Sequence, residues 1–136
     1  MSRKMMRVFR GERPILPHGM FATDPGDFGR GIYFTTALPR ARAIAGTAGK
    51  VVKMVMDVSE FLLIDMGEAY RIADAYGTVD KKFTVEEKMR NAQAMRDELV
   101  AEGFKGLIAV RKDRAGRVME REVVQYVFER ELRGDA

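Results

Sequence analysis

The segment Glu120-Arg121-Glu122-Val123-Val124-Gln125-Tyr126-Val127-Phe128 constrains the fold more than any other. Successive side chains of a strand point to opposite faces, so Glu120 and Glu122 share a face with Val124, Tyr126 and Phe128. That is the more apolar face, and it carries Glu122 into a core or a cleft wall. A carboxylate there is paired, hydrogen-bonded or put to chemical use. Glu122 is thus a candidate functional residue, with a buried arginine pair or a solvated strand end as the structural alternative.

The rest of the chain arranges itself around this strand. Val118 to Phe128 pairs as a hairpin with Gly106 to Val110 across a turn at Asp113 to Gly116. Thr84 and Glu87 form a capping box, after which Val85, Met89, Ala92, Met95 and Leu99 recur on one helical face. Gly103 stands where the C-terminal cap belongs. Val51 to Val58 alternates as a strand, and Phe61 to Ile64 is a short strand or buried turn. A short helix spans Leu38 to Ala45, ended by Gly46. Ile32 to Thr35 and Arg7 to Gly11 suit strands. Residues 12–31 hold three of the four prolines and predict a loop. The order predicts an α+β fold with a mostly antiparallel sheet.

At roughly 150 residues per domain, 136 residues predict one domain, 1–136. The absence of cysteine excludes disulfides, thiol catalysis and cysteine-based zinc sites. A single histidine, His18, argues against a His-dominated metal site or a Ser-His-Asp triad, and as a loop residue beside Gly19 it reads as surface. No metal is expected. No apolar run approaches the length of a membrane span. The basic start, Met1 to Arg7, is not followed by the apolar stretch of a secretory signal, so the cytoplasm is the default expectation. The net charge of +4 is dispersed and reads first as a solvated basic surface, with a secondary lean toward a phosphorylated small molecule or nucleic acid. The ten methionines read as core filler, Met89 and Met95 on the helix and Met54 and Met56 in a strand.

Three segments together resemble the ADP-ribosyltransferase superfamily. Phe9-Arg10-Gly11 is similar to its first motif, an aromatic residue, then Arg or His, then Gly. Phe28-Gly29-Arg30-Gly31-Ile32-Tyr33-Phe34-Thr35-Thr36 is similar to the Gly-x-Gly-Ile-Tyr-Phe segment of poly(ADP-ribose) polymerases. Glu122, followed by Val123-Val124 and Tyr126, resembles the catalytic-glutamate strand. Gly103 to Ile108 with the final hairpin is similar to the end of small transferase domains of phage and bacterial polyvalent proteins. The triad Arg10, Tyr33, Glu122 is a hybrid, its arginine toxin-like and its second motif polymerase-like. The Ser and second stacking Tyr that polymerases place near Ala41 and Ile44 are absent.

The resemblance implies a split, mostly antiparallel sheet with a few flanking helices. It implies an enzyme that uses NAD as a substrate and transfers a single ADP-ribose to a macromolecular acceptor, most readily a protein side chain. In phage, such an effector disables a host defence such as a CRISPR complex. A nucleic-acid acceptor stays open; a membrane partner is not implied. Glu122 would stabilise the positive charge that builds on the ribose as nicotinamide leaves. Glu120 would orient or deprotonate the nucleophile from nearer the cleft mouth, since Glu-x-Glu is the family pattern for arginine acceptors. Arg10, Gly11, Tyr33, Phe34 and Thr35 would hold the NAD. An NAD glycohydrolase, or a non-catalytic binding or inhibitor protein on the same fold, are the alternatives.

Overall fold

The computed structural model describes residues 3–12 and 24–127. The strands are β1 (Met5–Glu12), β2 (Asp24–Gly26), β3 (Gly29–Thr35), β4 (Lys50–Asp57), β5 (Phe61–Asp65), β6 (Gly106–Lys112) and β7 (Val118–Gln125). The helices are α1 (Leu38–Ala45), α2 (Met66–Tyr76) and α3 (Val85–Ala101). His18 and the expected strand end at Phe128 lie outside the described residues. The fold is α+β, and its sheet runs β4-β1-β3-β7-β6-β5, with β2 added on β3. All pairings are antiparallel except β5 with β6, a parallel pair made possible by the crossover through α2 and α3.

Local chemistry sets the helices. Thr84 Oγ1 accepts from the Glu87 amide at 3.1 Å, and Glu87 Oε1 accepts from the Thr84 amide at 2.8 Å. α1 closes where the Gly46 amide donates to the Arg42 carbonyl at 3.0 Å. α2 does not stand out in the sequence, because the residues it buries fully are two alanines, Ala69 and Ala73. These small residues give little apolar periodicity to read.

The sheet carries a core on each face. Phe28, Ala69, Ala73, Met95, Leu99, Leu107, Val124 and Tyr126 pack together between α2, α3 and one face. Val8, Phe34, Met56, Val58, Ile108 and Val123 form the second cluster. Cross-strand pairing of Tyr33 with Val124 and of Phe34 with Val123 assigns Tyr33 and Phe34 to opposite faces. Each large apolar side chain fully buried here stabilises the fold by about 1.5–3 kcal/mol. Two residues expected in the helix core are not there: Val85 is 74% exposed and Met89 is also exposed. Met54 is exposed too, while Met56 and Met95 fill the core as expected.

Two features position the site. β1 and β3 share a single register pair, Phe9 with Thr35, and the two halves of the sheet part there. Gly11 lies under α1, where a Cβ would stand 2.1 Å from the Ala41 carbonyl oxygen, so only glycine lets helix and strand approach this closely. Among the described residues, no helix is long and apolar enough to cross a membrane.

Candidate active site

Where β1 parts from β3, a cavity of about 410 Å³ opens. This is within the size range of small-molecule sites. All seven residues singled out in the sequence line it: Arg10 and Gly11 from β1, Tyr33, Phe34 and Thr35 from β3, and Glu120 and Glu122 from β7. Phe9 of β1, Gly26 at the end of β2, Asp27 of the β2–β3 turn, and Arg40 and Ile44 of α1 complete the wall.

The two glutamates share a face, as alternation requires, yet their surroundings differ. Glu120 is 4% exposed. Its carboxylate accepts from Thr35 Oγ1 at 2.7 Å, from Arg40 Nε at 2.9 Å and from Arg111 Nη2 at 2.9 Å. Burial pushes its pKa up, but the bonds from Thr35 and Arg40 and the charges of Arg40 and Arg111 outweigh it and hold the group below the ordinary glutamate value. Glu120 is thus covered by its partners Thr35, Arg40 and Arg111, and is not a solvated strand-end carboxylate. The buried arginine pair considered for this strand belongs to Glu120.

Glu122 is half-buried, and no hydrogen bond or ion pair reaches its carboxylate among the described residues. Burial, then the negative charges of Glu120 and Asp27, push its pKa up to about 7, with Arg40 and Arg111 opposing. One strand thus carries a carboxylate kept charged by pairing and a second poised near neutrality.

Tyr33 braces the turn beside the cavity. Its hydroxyl donates to the Gly29 carbonyl at 2.5 Å and accepts from the Phe28 amide at 2.9 Å. Burial, then the nearby Tyr126, raise its pKa well above the ordinary tyrosine value, so the phenol stays neutral. Its ring lies against Gly26, where a Cβ would come within 2.3 Å of it. Arg10 bridges the parting strands: Nη1 donates to the Tyr33 carbonyl at 3.0 Å, and Nε donates to Glu12 at 3.3 Å.

Phe34 borders the cavity, but its side chain belongs to the second core cluster, on the face opposite Tyr33. Thr35 is also buried. Its hydroxyl is held between Glu120 and the Ala37 amide, so it orients Glu120 and the start of α1. Ile44 lines the cavity near the position where the polymerase pattern would place a second tyrosine.

Sequence reasoning missed Arg40, Arg111, Asp27 and Tyr70. The first two had a signal, since a carboxylate on an apolar strand face calls for a cation, though which of 24 lysines and arginines supplies it is a tertiary property. Tyr70, from the unpredicted α2, packs edge-on against Phe28 with ring centroids 5.0 Å apart. No family model matches the chain, nor does any curated protein or solved structure.

Proposed function

We propose that this chain is an NAD-dependent mono-ADP-ribosyltransferase, with Glu122 as its catalytic residue. One observation carries the reading: a half-buried carboxylate, unpaired among the described residues, lines the cavity where three motif-bearing strands converge. Loss of nicotinamide from NAD leaves positive charge on the ribose. An ionised Glu122 opposes that charge in a partly desolvated setting, where it counts for more than in water.

The other residues follow from their contacts. Glu120, clamped by Arg40, Arg111 and Thr35, fixes the strand from which Glu122 projects and, as a permanent anion, raises the pKa of Glu122. Tyr33 supplies a neutral aromatic wall for the nicotinamide ring. Arg10 holds the mouth between β1 and β3 and sets a positive charge beside it, suited to a phosphate or ribose of NAD. Gly11 keeps α1 close to that edge. The acceptor is a macromolecule, a protein side chain in the first instance, and a host defence complex is the kind of target a phage effector of this class would take.

The test is direct. The purified chain is incubated with labelled NAD and a cell lysate, and labelled proteins are identified by mass spectrometry. Labelled protein together with free nicotinamide supports transfer. Nicotinamide released without labelled acceptor makes the chain a glycohydrolase, with water taking the ribose. Absence of both contradicts an enzymatic role.

A further inference from the structure

A second cavity, of about 300 Å³, adjoins the first, and the two share one lining residue, Asp27. Its other walls are Tyr70 of α2, Thr78 and Val79 from the α2–α3 connection, and Val85, Lys88 and Met89 from the first turns of α3. Val85 and Met89, exposed on α3, thus face this cavity. Asp27 is exposed at the junction, and Tyr70 lines the second cavity beside it.

We infer that Asp27 receives the acceptor: the second cavity takes an arginine side chain of the target protein, and Asp27 orients its guanidinium toward the ribose and accepts its proton. This inference rests on the transferase reading above. Glu120 is already engaged by Thr35, Arg40 and Arg111, so its capacity to take up an incoming guanidinium is spent within the fold. Asp27 is the exposed carboxylate of the same cavity. The second cavity also matches an arginine in kind. Val79, Val85 and Met89 offer apolar contact to a methylene stem, and Tyr70 adds an aromatic side chain beside the carboxylate. Lys88 has the same sign as the acceptor and opposes it, so Asp27 supplies the deciding charge at the junction.

The chemical balance is simple. The C1′–N bond to nicotinamide breaks and its electron pair leaves with nicotinamide. A guanidinium nitrogen forms the new bond to C1′, and the proton it gives up passes to Asp27 and then to water. No oxidant or reductant takes part.

The experiment uses the full chain, NAD, and agmatine, which is an arginine side chain without its backbone. Transfer to agmatine and hydrolysis to free ADP-ribose are measured in the same reaction. Asp27→Asn is expected to lower the ratio of transfer to hydrolysis by about 100-fold or more, the usual effect of losing a general base. Asp27→Glu is expected to restore part of it. Lys88→Gln, which removes the opposing charge, is expected to raise the ratio. An unchanged ratio in Asp27→Asn overturns the inference while leaving the transferase reading intact. So does a raised KM for NAD at constant ratio, which would give the second cavity to the dinucleotide. A wild-type chain that releases no nicotinamide, with or without agmatine, overturns the reading and the inference with it.

Discussion

Arg10 donates from Nη1 to the main-chain carbonyl of Tyr33 at 3.0 Å, across the point where β1 and β3 keep only the Phe9–Thr35 pair. A charged side chain thus does what a ladder hydrogen bond would do in a continuous sheet, and it leaves a cavity beside the join. Arg10→Ala is expected to lower stability by about 1.5–3 kcal/mol, the usual worth of hydrogen bonds to a charged group. The loss should be accompanied by a higher KM for NAD. Thermal melts run beside the kinetics check both. A variant with unchanged melting would place Arg10 in ligand contact alone.

Gly11→Ala is expected to be worse for folding than its size suggests. The new methyl would stand 2.1 Å from the Ala41 carbonyl oxygen and 2.8 Å from the Ala45 amide nitrogen. Both are backbone atoms of α1, which cannot swing aside as a side chain would. Overpacking of this kind costs about 1–3 kcal/mol, sometimes more. Denaturant unfolding measures it. A stability within about 0.5 kcal/mol of wild type would contradict the close packing of α1 on β1.

Much of this architecture is legible in the sequence, and the exceptions have physical causes. The capping box at Thr84 and Glu87 marks α3 because it is a local reciprocal hydrogen bond between named residue types. The Leu38–Ala45 helix and its stop at Gly46 are equally local. α2 is silent because Ala69 and Ala73 make its buried face, and with it went Tyr70. The short β2 sits among prolines and glycines that also suit a loop. The parallel β5–β6 pair joins segments about 40 residues apart, and no short-range pattern reports it. At the site, alternation along β7 placed both glutamates on the cavity face. It could not say which of them meets arginines, since that depends on where α1 and β6 bring Arg40 and Arg111.

The pKa of Glu122 sets a pH dependence. Burial and the charges of Glu120 and Asp27 raise it from the ordinary 4.5 to about 7, against Arg40 and Arg111. The carboxylate form opposes ribose charge, so NAD cleavage should rise with pH through a midpoint near 7 and level off above it. Initial rates between pH 5 and 9 test this. A profile flat through that range would remove the titration of Glu122 from the rate.

The same shift has an opposite consequence for stability. Because the folded protein holds the Glu122 proton more tightly than the unfolded chain, stability falls as pH rises from 4.5 to about 7 and stays lower above that. A glutamine there does not titrate. Glu122→Gln is therefore expected to be more stable than wild type at pH 8, by about 1–3 kcal/mol, with the gap closing at pH 4. Melting at both pH values checks it, and a variant less stable than wild type at pH 8 would contradict the raised pKa of Glu122.

The most direct test of the account is the rate of nicotinamide release from NAD by wild type and Glu122→Gln at pH 8, where Glu122 is ionised in the wild type. Wild type is expected to release nicotinamide, and the variant to do so about 100- to 1,000-fold more slowly, with the fold retained. Equal rates in the two proteins, or no release by the wild type, would contradict it.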